Sequence, residues 1–301
     1  MISFDLTYFL TYIIATIAFA ILSPIAGCLL AGLDRVISAK LQGRVGPPVL
    51  QPFYDVMKLL SKENATINTS ERVYVALGLL FAILAGGFLF AGSNLLMCVF
   101  VITLSTLLII LAAYSSRSPF SEAGAAREIL QVMAYEPMVL IFCATILIYC
   151  LKQGASAQDA MDVKTLLLLD KPAICGCYIV FIGLIYVLTI KLRKSPFDLS
   201  SSHHAHQELV SGMTTEMSGR TLALLEITHW VESIVFLTWV GIFFLSNNQF
   251  SIPIAICASL GAWLLEIIID NNAARMKWQF MLFSAWAVAF IAALINLLLL
   301  A

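Results

Sequence analysis

The 301-residue sequence predicts an all-α fold: a polytopic membrane helical bundle of about eight transmembrane helices, with an interfacial amphipathic helix. Three observations predict it. Hydrophobic residues make up 61% of the chain and charged residues 12%, against about 25% charged in ordinary soluble domains, and the mean hydropathy is +0.95. Eight windows reach the length of about 20 mainly apolar residues that a bilayer crossing needs. Lys and Arg are also divided unevenly between the connections of those windows. The chain reads as a single membrane domain over 1–301, with an interfacial segment at 43–63 and a polar loop at 191–220.

In chain order the windows are Tyr8–Leu33, Val73–Gly92, Leu95–Ala113, Ile129–Leu151, Ala173–Ile190, Leu222–Leu245, Ile252–Ile269 and Trp278–Leu300. The first has no basic run before it and no small-residue cleavage site after it, so it reads as a retained span. An even number of crossings puts both termini on one side. With the termini outside, fourteen Lys and Arg fall in the inner connections and only Lys152, Lys164 and Lys171 in the outer ones. The expectation is a multi-pass protein of the cell (inner or plasma) membrane, termini outside and main charged loops in the cytoplasm. No internal repeat or inverted pair of broken helices marks a self-sufficient secondary transporter. A net charge of -1 leaves no basic excess to engage nucleic-acid phosphates. The seven cysteines form no CxxC pair, so they read as buried thiols and not as cluster ligands.

The segment GRVGPPVLQPFYDVMKLLSKE (43–63) interrupts the apolar pattern. Val49, Phe53, Val56, Met57 and Leu60 recur at helical spacing, opposite Gln51, Asp55, Lys58 and Lys62, which predicts a short helix lying in the inner interface. Pro47 and Pro48 hold its approach extended and Pro52 fits its first turn, while Asp55 and Lys58 stand at i,i+3 for pairing. A plain surface anchor would have the same pattern.

Three further stretches carry ionisable groups into or beside the bilayer. In SPFSEAGAAREILQVMAYEPMVLI, Glu128, Gln131 and Tyr135 share one helical face, and Glu136 lies beside them, deeper in the membrane. A carboxylate near the bilayer centre costs about 2.5–3.5 kcal/mol; a protonatable relay site and an interhelical hydrogen bond both account for keeping one. In LLEITHWVESIVF, Glu226, His229 and Glu232 follow one another at i,i+3, and mutual pairing lowers the cost of burying them. A di-iron centre needs two Glu-x-x-His helices and the chain has one. The loop KLRKSPFDLSSSHHAHQELVSGMTTEMSGR has a turn signal at Asp198 and clusters His203, His204 and His206 without a cysteine, which suits proton exchange or a docking surface better than zinc. Glu266, about a turn from Asp270, reads equally as a snorkelling carboxylate at a helix end.

These residues carry a resemblance. RxGPPxLQPFYDVxKLLxKE, the Arg127…Gln131…Tyr135-Glu136 pattern, and PFDL followed by ELVxGxxxExSG are similar to the signatures of the complex I subunit 1 family. That family includes the heel subunit of respiratory complex I and its relatives in energy-converting (group 4, Ech-type) NiFe hydrogenases. The complex I branch has an Asn-Arg-Val-Gly-Pro insertion where this chain runs from Gly46-Pro47 directly to Pro48, and an acid-rich stretch where it has SSSHHAHQ. Both departures resemble the hydrogenase branch. The resemblance implies that no redox centre lies in this chain and that a NiFe centre and iron–sulfur clusters lie in partner subunits, with ferredoxin as the usual electron donor. The implied partners are hydrogenase large and small subunits, iron–sulfur subunits and an antiporter-like membrane subunit. It implies docking of the soluble arm on Arg44, Pro47, Gln51, Asp55, Lys58, Lys62, Asp198, His203, His204 and His206. It further implies a proton or ion relay through Glu128, Glu136, Glu226, His229 and Glu232, with Glu208 and Glu216 as acidic loop positions. A quinone-reducing heel subunit and a purely structural anchor remain as alternatives.

Overall fold

A computed structural model describes residues 6–63, 68–194, 196–197, 200, 209–274 and 276–300. In order the helices are α1 (Leu6–Leu41), α2 (Gln51–Ser61), α3 (Thr69–Phe90), α4 (Leu95–Ser115), α5 (Pro119–Lys152), the single turn α6 (Val163–Leu166), α7 (Ile174–Lys191), α8 (Gly219–Ile242), α9 (Ser251–Asn272) and α10 (Trp278–Leu300). Eight of them are long and apolar enough to cross a membrane. Among the described residues there is no strand beyond two isolated bridges. The chain is a multi-pass membrane protein.

The spans occur where the apolar windows predict them, with two extensions. Helix α1 continues through Leu41 and α5 begins at Pro119. At 1.5 Å per residue these helices are about 54 and 51 Å long against a hydrocarbon core of about 30 Å, so each carries its polar end well beyond the lipid. Local chemistry sets several starts: Asn68 accepts from Ser70 N at 3.1 Å, Asn94 accepts from Leu96 N at 3.0 Å, and Pro119 occupies the first turn of α5. Pro24 and Pro137 lie inside α1 and α5, a tolerance typical of membrane helices.

Lipid supplies no hydrophobic drive for helix association, so close packing and small residues must do it. Helix α3 presents Gly78, Ala82, Ala85 and Gly86 as buried positions. A Cβ on Gly86 would fall 2.0 Å from the Phe19 ring on α1, and Ser105 Oγ on α4 donates to the Gly78 carbonyl at 2.8 Å. Helix α8 is central, packed by α1, α2, α3, α7 and α9, with Trp239 buried against Phe142 and Phe236. Helices α1, α9 and α10 turn Ile14, Ile256, Phe283 and Leu298 outward, as lipid-facing helices do.

Two connections are pinned onto the bundle at one end. Helix α2 buries Pro52 and seats Val56 against Cys28 of α1 and Ala223 and Trp230 of α8, leaving Phe53, Tyr54 and Met57 exposed. Its approach crosses α1 at Gly32, where an added Cβ would come 1.8 Å from the Val49 carbonyl oxygen. Residues 209–218 lie on the start of α5: Gly124 passes under Met213, and Ser121 Oγ donates to the Met213 carbonyl at 3.3 Å.

Candidate functional site

The 43–63 segment is organised differently from the i,i+3 expectation. Asp55 does not pair with Lys58; it accepts from Arg35 of α1 at 2.7 Å and from Gln51 at 2.9 Å. Burial raises the Asp55 carboxyl, but the Arg35 and Gln51 hydrogen bonds outweigh it and hold the group below its ordinary value. Arg44 donates to Gln42 at 2.8 Å, Pro47 is half-buried against the bundle, and Lys58 and Lys62 are exposed. This face is therefore an amphipathic platform tied to α1, with exposed cations around an aromatic patch.

Inside the bundle the main feature is a turn that sequence reading assigned to loop charge. Lys191 ends α7, and Arg193, at φ +56, reverses the chain. Lys191, Arg193 and Lys194 then point inward to separate groups. Lys191 Nζ lies 3.9 Å from the Tyr135 ring centroid, 4.8 Å from that of Phe236 and 3.5 Å from Thr106 Oγ1. Arg193 reaches Glu128 at 3.9 Å and His229 Nδ1 at 3.3 Å. Lys194 binds Asp34 of α1 and, at 3.5 Å, Asp270 of α9.

The carboxylates answer these cations. Glu128 is buried and also accepts from Ser200 Oγ. Glu232 is buried on α8 among the charges of Lys191, Arg193 and Glu128. A guanidinium only donates, so His229 Nδ1 is the acceptor and the ring hydrogen sits on Nε2, a buried atom with no partner among the described residues. In place of the expected mutual pairing of Glu226, His229 and Glu232, His229 pairs with Arg193, Glu232 lies in the field of Lys191, and Glu226 lines a cavity. The reason is geometric: successive i,i+3 steps carry Glu232 around the helix toward Lys191, away from the face shared by Glu226 and His229.

Glu226 and His229 line a cavity of about 180 Å³, together with Asp34, Lys194, Ser233 and Trp263. It has room for several waters, and its polar walls suit them. Glu136 sits halfway along α5, half-buried, and adds its charge to the field at Lys191. Glu216 is half-buried beside Glu71, a fully buried carboxyl at the start of α3. Asp198, His203, His204, His206 and Glu208 lie outside the described residues. Among the described residues no group of three or more His, Cys, Asp or Glu is placed to hold a metal ion.

Sequence reasoning missed Asp34, Glu71 and the inward role of Lys191, Arg193 and Lys194. Asp34 offered a signal, being an acid that continues the register of the first apolar run. The inward turn offered none, because it depends on a positive φ at a residue other than glycine. Glu266 is fully buried, which removes the snorkelling alternative for it.

Residues 13–301 match the NADH dehydrogenase family. The chain is 25% identical over 289 residues to formate hydrogenlyase subunit 4 of Escherichia coli (strain K12), covering 86% of this chain and 89% of that protein. It is 25% identical over 249 residues to an NADH-quinone oxidoreductase subunit of Chlorobium luteolum, covering 73% of this chain but only 64% of that protein's length. Its fold matches a chain of the membrane-bound sulfane sulfur reductase, an archaeal respiratory membrane complex, with a TM-score of 0.83 and 20% identity, over 96% of this chain and 99% of that one.

Proposed function

The chain belongs to the NADH dehydrogenase family, and from that premise we propose that it is the membrane-anchoring, ion-translocating heel subunit of an energy-converting NiFe hydrogenase complex. In this reading, electrons from ferredoxin pass through iron–sulfur clusters in soluble partners to a NiFe centre that reduces protons. Those partners are hydrogenase large and small subunits and iron–sulfur subunits, with an antiporter-like membrane subunit alongside. They dock on the face formed by α2 and the 191–220 segment, so that face is cytoplasmic and both termini lie outside.

The observation that carries the ion-translocating part is the basic turn 191–194, which sends three cations from one end of the bundle to carboxylates on α1, α5, α8 and α9. A charge change in the docked arm acts first on this turn. Protons then redistribute among Glu128, Glu232, Glu136, His229 and Glu226, coupled through the shared cations and the polar cavity. The direct run from Gly46-Pro47 to Pro48 and the SSSHHAHQ stretch favour the hydrogenase branch over quinone reduction. The near-complete coverage of the formate hydrogenlyase subunit points the same way.

Gently purified complex assayed for nickel, iron, labile sulfide and flavin tests the assignment. Nickel without flavin supports it; flavin and quinone without nickel make the chain a quinone-reducing heel subunit. Hydrogen evolution and ion pumping in vesicles of Glu136→Gln and Glu232→Gln complexes test the relay. Full retention of both activities in each variant leaves only a structural anchor.

A further inference from the structure

We propose that Glu266 is a proton-holding site on the α1–α9 flank of the bundle, and that Lys194 is the tethered cation that exchanges partners with it. The inference rests on the ion-translocating reading above and adds a branch to it.

Glu266 is fully buried, and neither carboxyl oxygen has a hydrogen-bond partner among the described residues. Trp263, three residues earlier on α9, lines the polar cavity, and Asp270, four residues later, reaches Lys194 at 3.5 Å. Glu266 therefore shares a face of α9 with Trp263 and Asp270, one helical turn from each. An ionised carboxylate needs several donors, and none is in place; the uncharged carboxyl is the form that such surroundings accommodate.

Lys194 after α7 joins Asp270 on α9 to Asp34 on α1, and it lines the cavity together with Asp34, Glu226 and His229. Lys194 and Asp270 are the charges that bear on Glu266. The exchange balances. Glu266 gives its proton through the cavity to Asp34, the ammonium of Lys194 leaves the neutralised Asp34 for the new Glu266 carboxylate, and the total charge of the group is unchanged. The ammonium thus accompanies one proton moving between two carboxyls. The segment from Glu266 to Asp270 leads toward the bundle end where Gln42 and Asn271 meet at the surface at 2.9 Å, which gives the branch an outlet.

The test uses the intact complex in native membranes. Dicyclohexylcarbodiimide adds to protonated buried carboxyls, and peptide mass spectrometry locates the adduct. Glu266 is expected to label in resting wild-type membranes and to label severalfold less during steady hydrogen evolution. Glu266→Gln is expected to slow ion translocation per hydrogen evolved by about 10²-fold, the low end for removing a positioned proton-transfer group, with Glu266→Asp retaining most of it. Equal labelling at rest and in turnover, or full coupling in Glu266→Gln, overturns the proposal. If Glu232→Gln uncouples while Glu266→Gln does not, the relay stands without this branch; if neither uncouples, both readings fall. Should Glu266→Gln not assemble, the wild-type labelling comparison decides alone.

Discussion

Gly32→Ala isolates the seating of α2. A Cβ at position 32 would lie 1.8 Å from the Val49 carbonyl oxygen and 2.8 Å from its carbon. Carbon–oxygen contacts close to about 3.3 Å at their tightest, so the Val49 peptide must retreat by about 1.5 Å. The obstacle is backbone, so no rotamer change relieves it. Pro47 and Pro48 stiffen the chain on one side and the Pro52 and Val56 contacts hold it on the other, so α2 must move as a unit. Overpacking of this kind costs about 1–3 kcal/mol. That weakens whatever depends on seated α2 by about 5- to 150-fold. The assay is thermal unfolding of the purified complex, with retention of its soluble subunits on size exclusion. Gly261→Ala is the control, because a Cβ there meets nothing within 4 Å. If Gly32→Ala matches that control in both measurements, the account of how α2 is held is wrong.

Three further outcomes follow from the same geometry. Arg193→Met strands the buried Glu128 carboxylate and is expected to destabilise the subunit by about 3–5 kcal/mol, with Glu128→Gln in the same chain recovering part of the loss; a double variant no more stable than Arg193→Met removes the pairing from the account. Asp55 has a folded-state pKa below its ordinary 3.8, so the stabilisation it supplies is fully present above that value and disappears as pH falls through the lower folded one. The Arg35–Asp55 pair is about half exposed, so Asp55→Asn at neutral pH is expected to cost about 1 kcal/mol or less, and a stability profile that changes between pH 5 and 8 through this residue contradicts the assignment. Gly212→Ala combines φ +38 with a Cβ 1.9 Å from the Ser200 carbonyl oxygen, a strain of about 1–3 kcal/mol, and is expected to expose residues 209–218 to protease; unchanged protection refutes the packing described.

The bundle was legible in the sequence because each span announces itself locally through its apolar length. Helix α2 was legible for the same reason, since its periodicity is strong over a short stretch. What failed were pairings. Asp55 had a neighbour four positions back, Gln51, and one twenty back on another helix, Arg35, and only the fold shows that these outcompete Lys58. The candidate acids Glu128, Glu136, Glu226 and Glu232 were visible as costly residues in apolar runs. Their counter-charges were not, because Lys191, Arg193 and Lys194 look like solvated loop cations until Arg193 turns the chain inward. The burial of Glu266 was left open because a helix end in a sequence says nothing about which neighbour covers it.

The basic turn has one more consequence. Three cations on four consecutive residues share a single stretch of backbone, yet their neighbours differ: Arg193 faces Glu128, Lys194 faces Asp34, and Lys191 lies over the Tyr135 ring. A nudge of one ångström to that stretch would alter all three electrostatic balances together, so the surroundings of α1, α5 and α8 are tied to one short piece of chain.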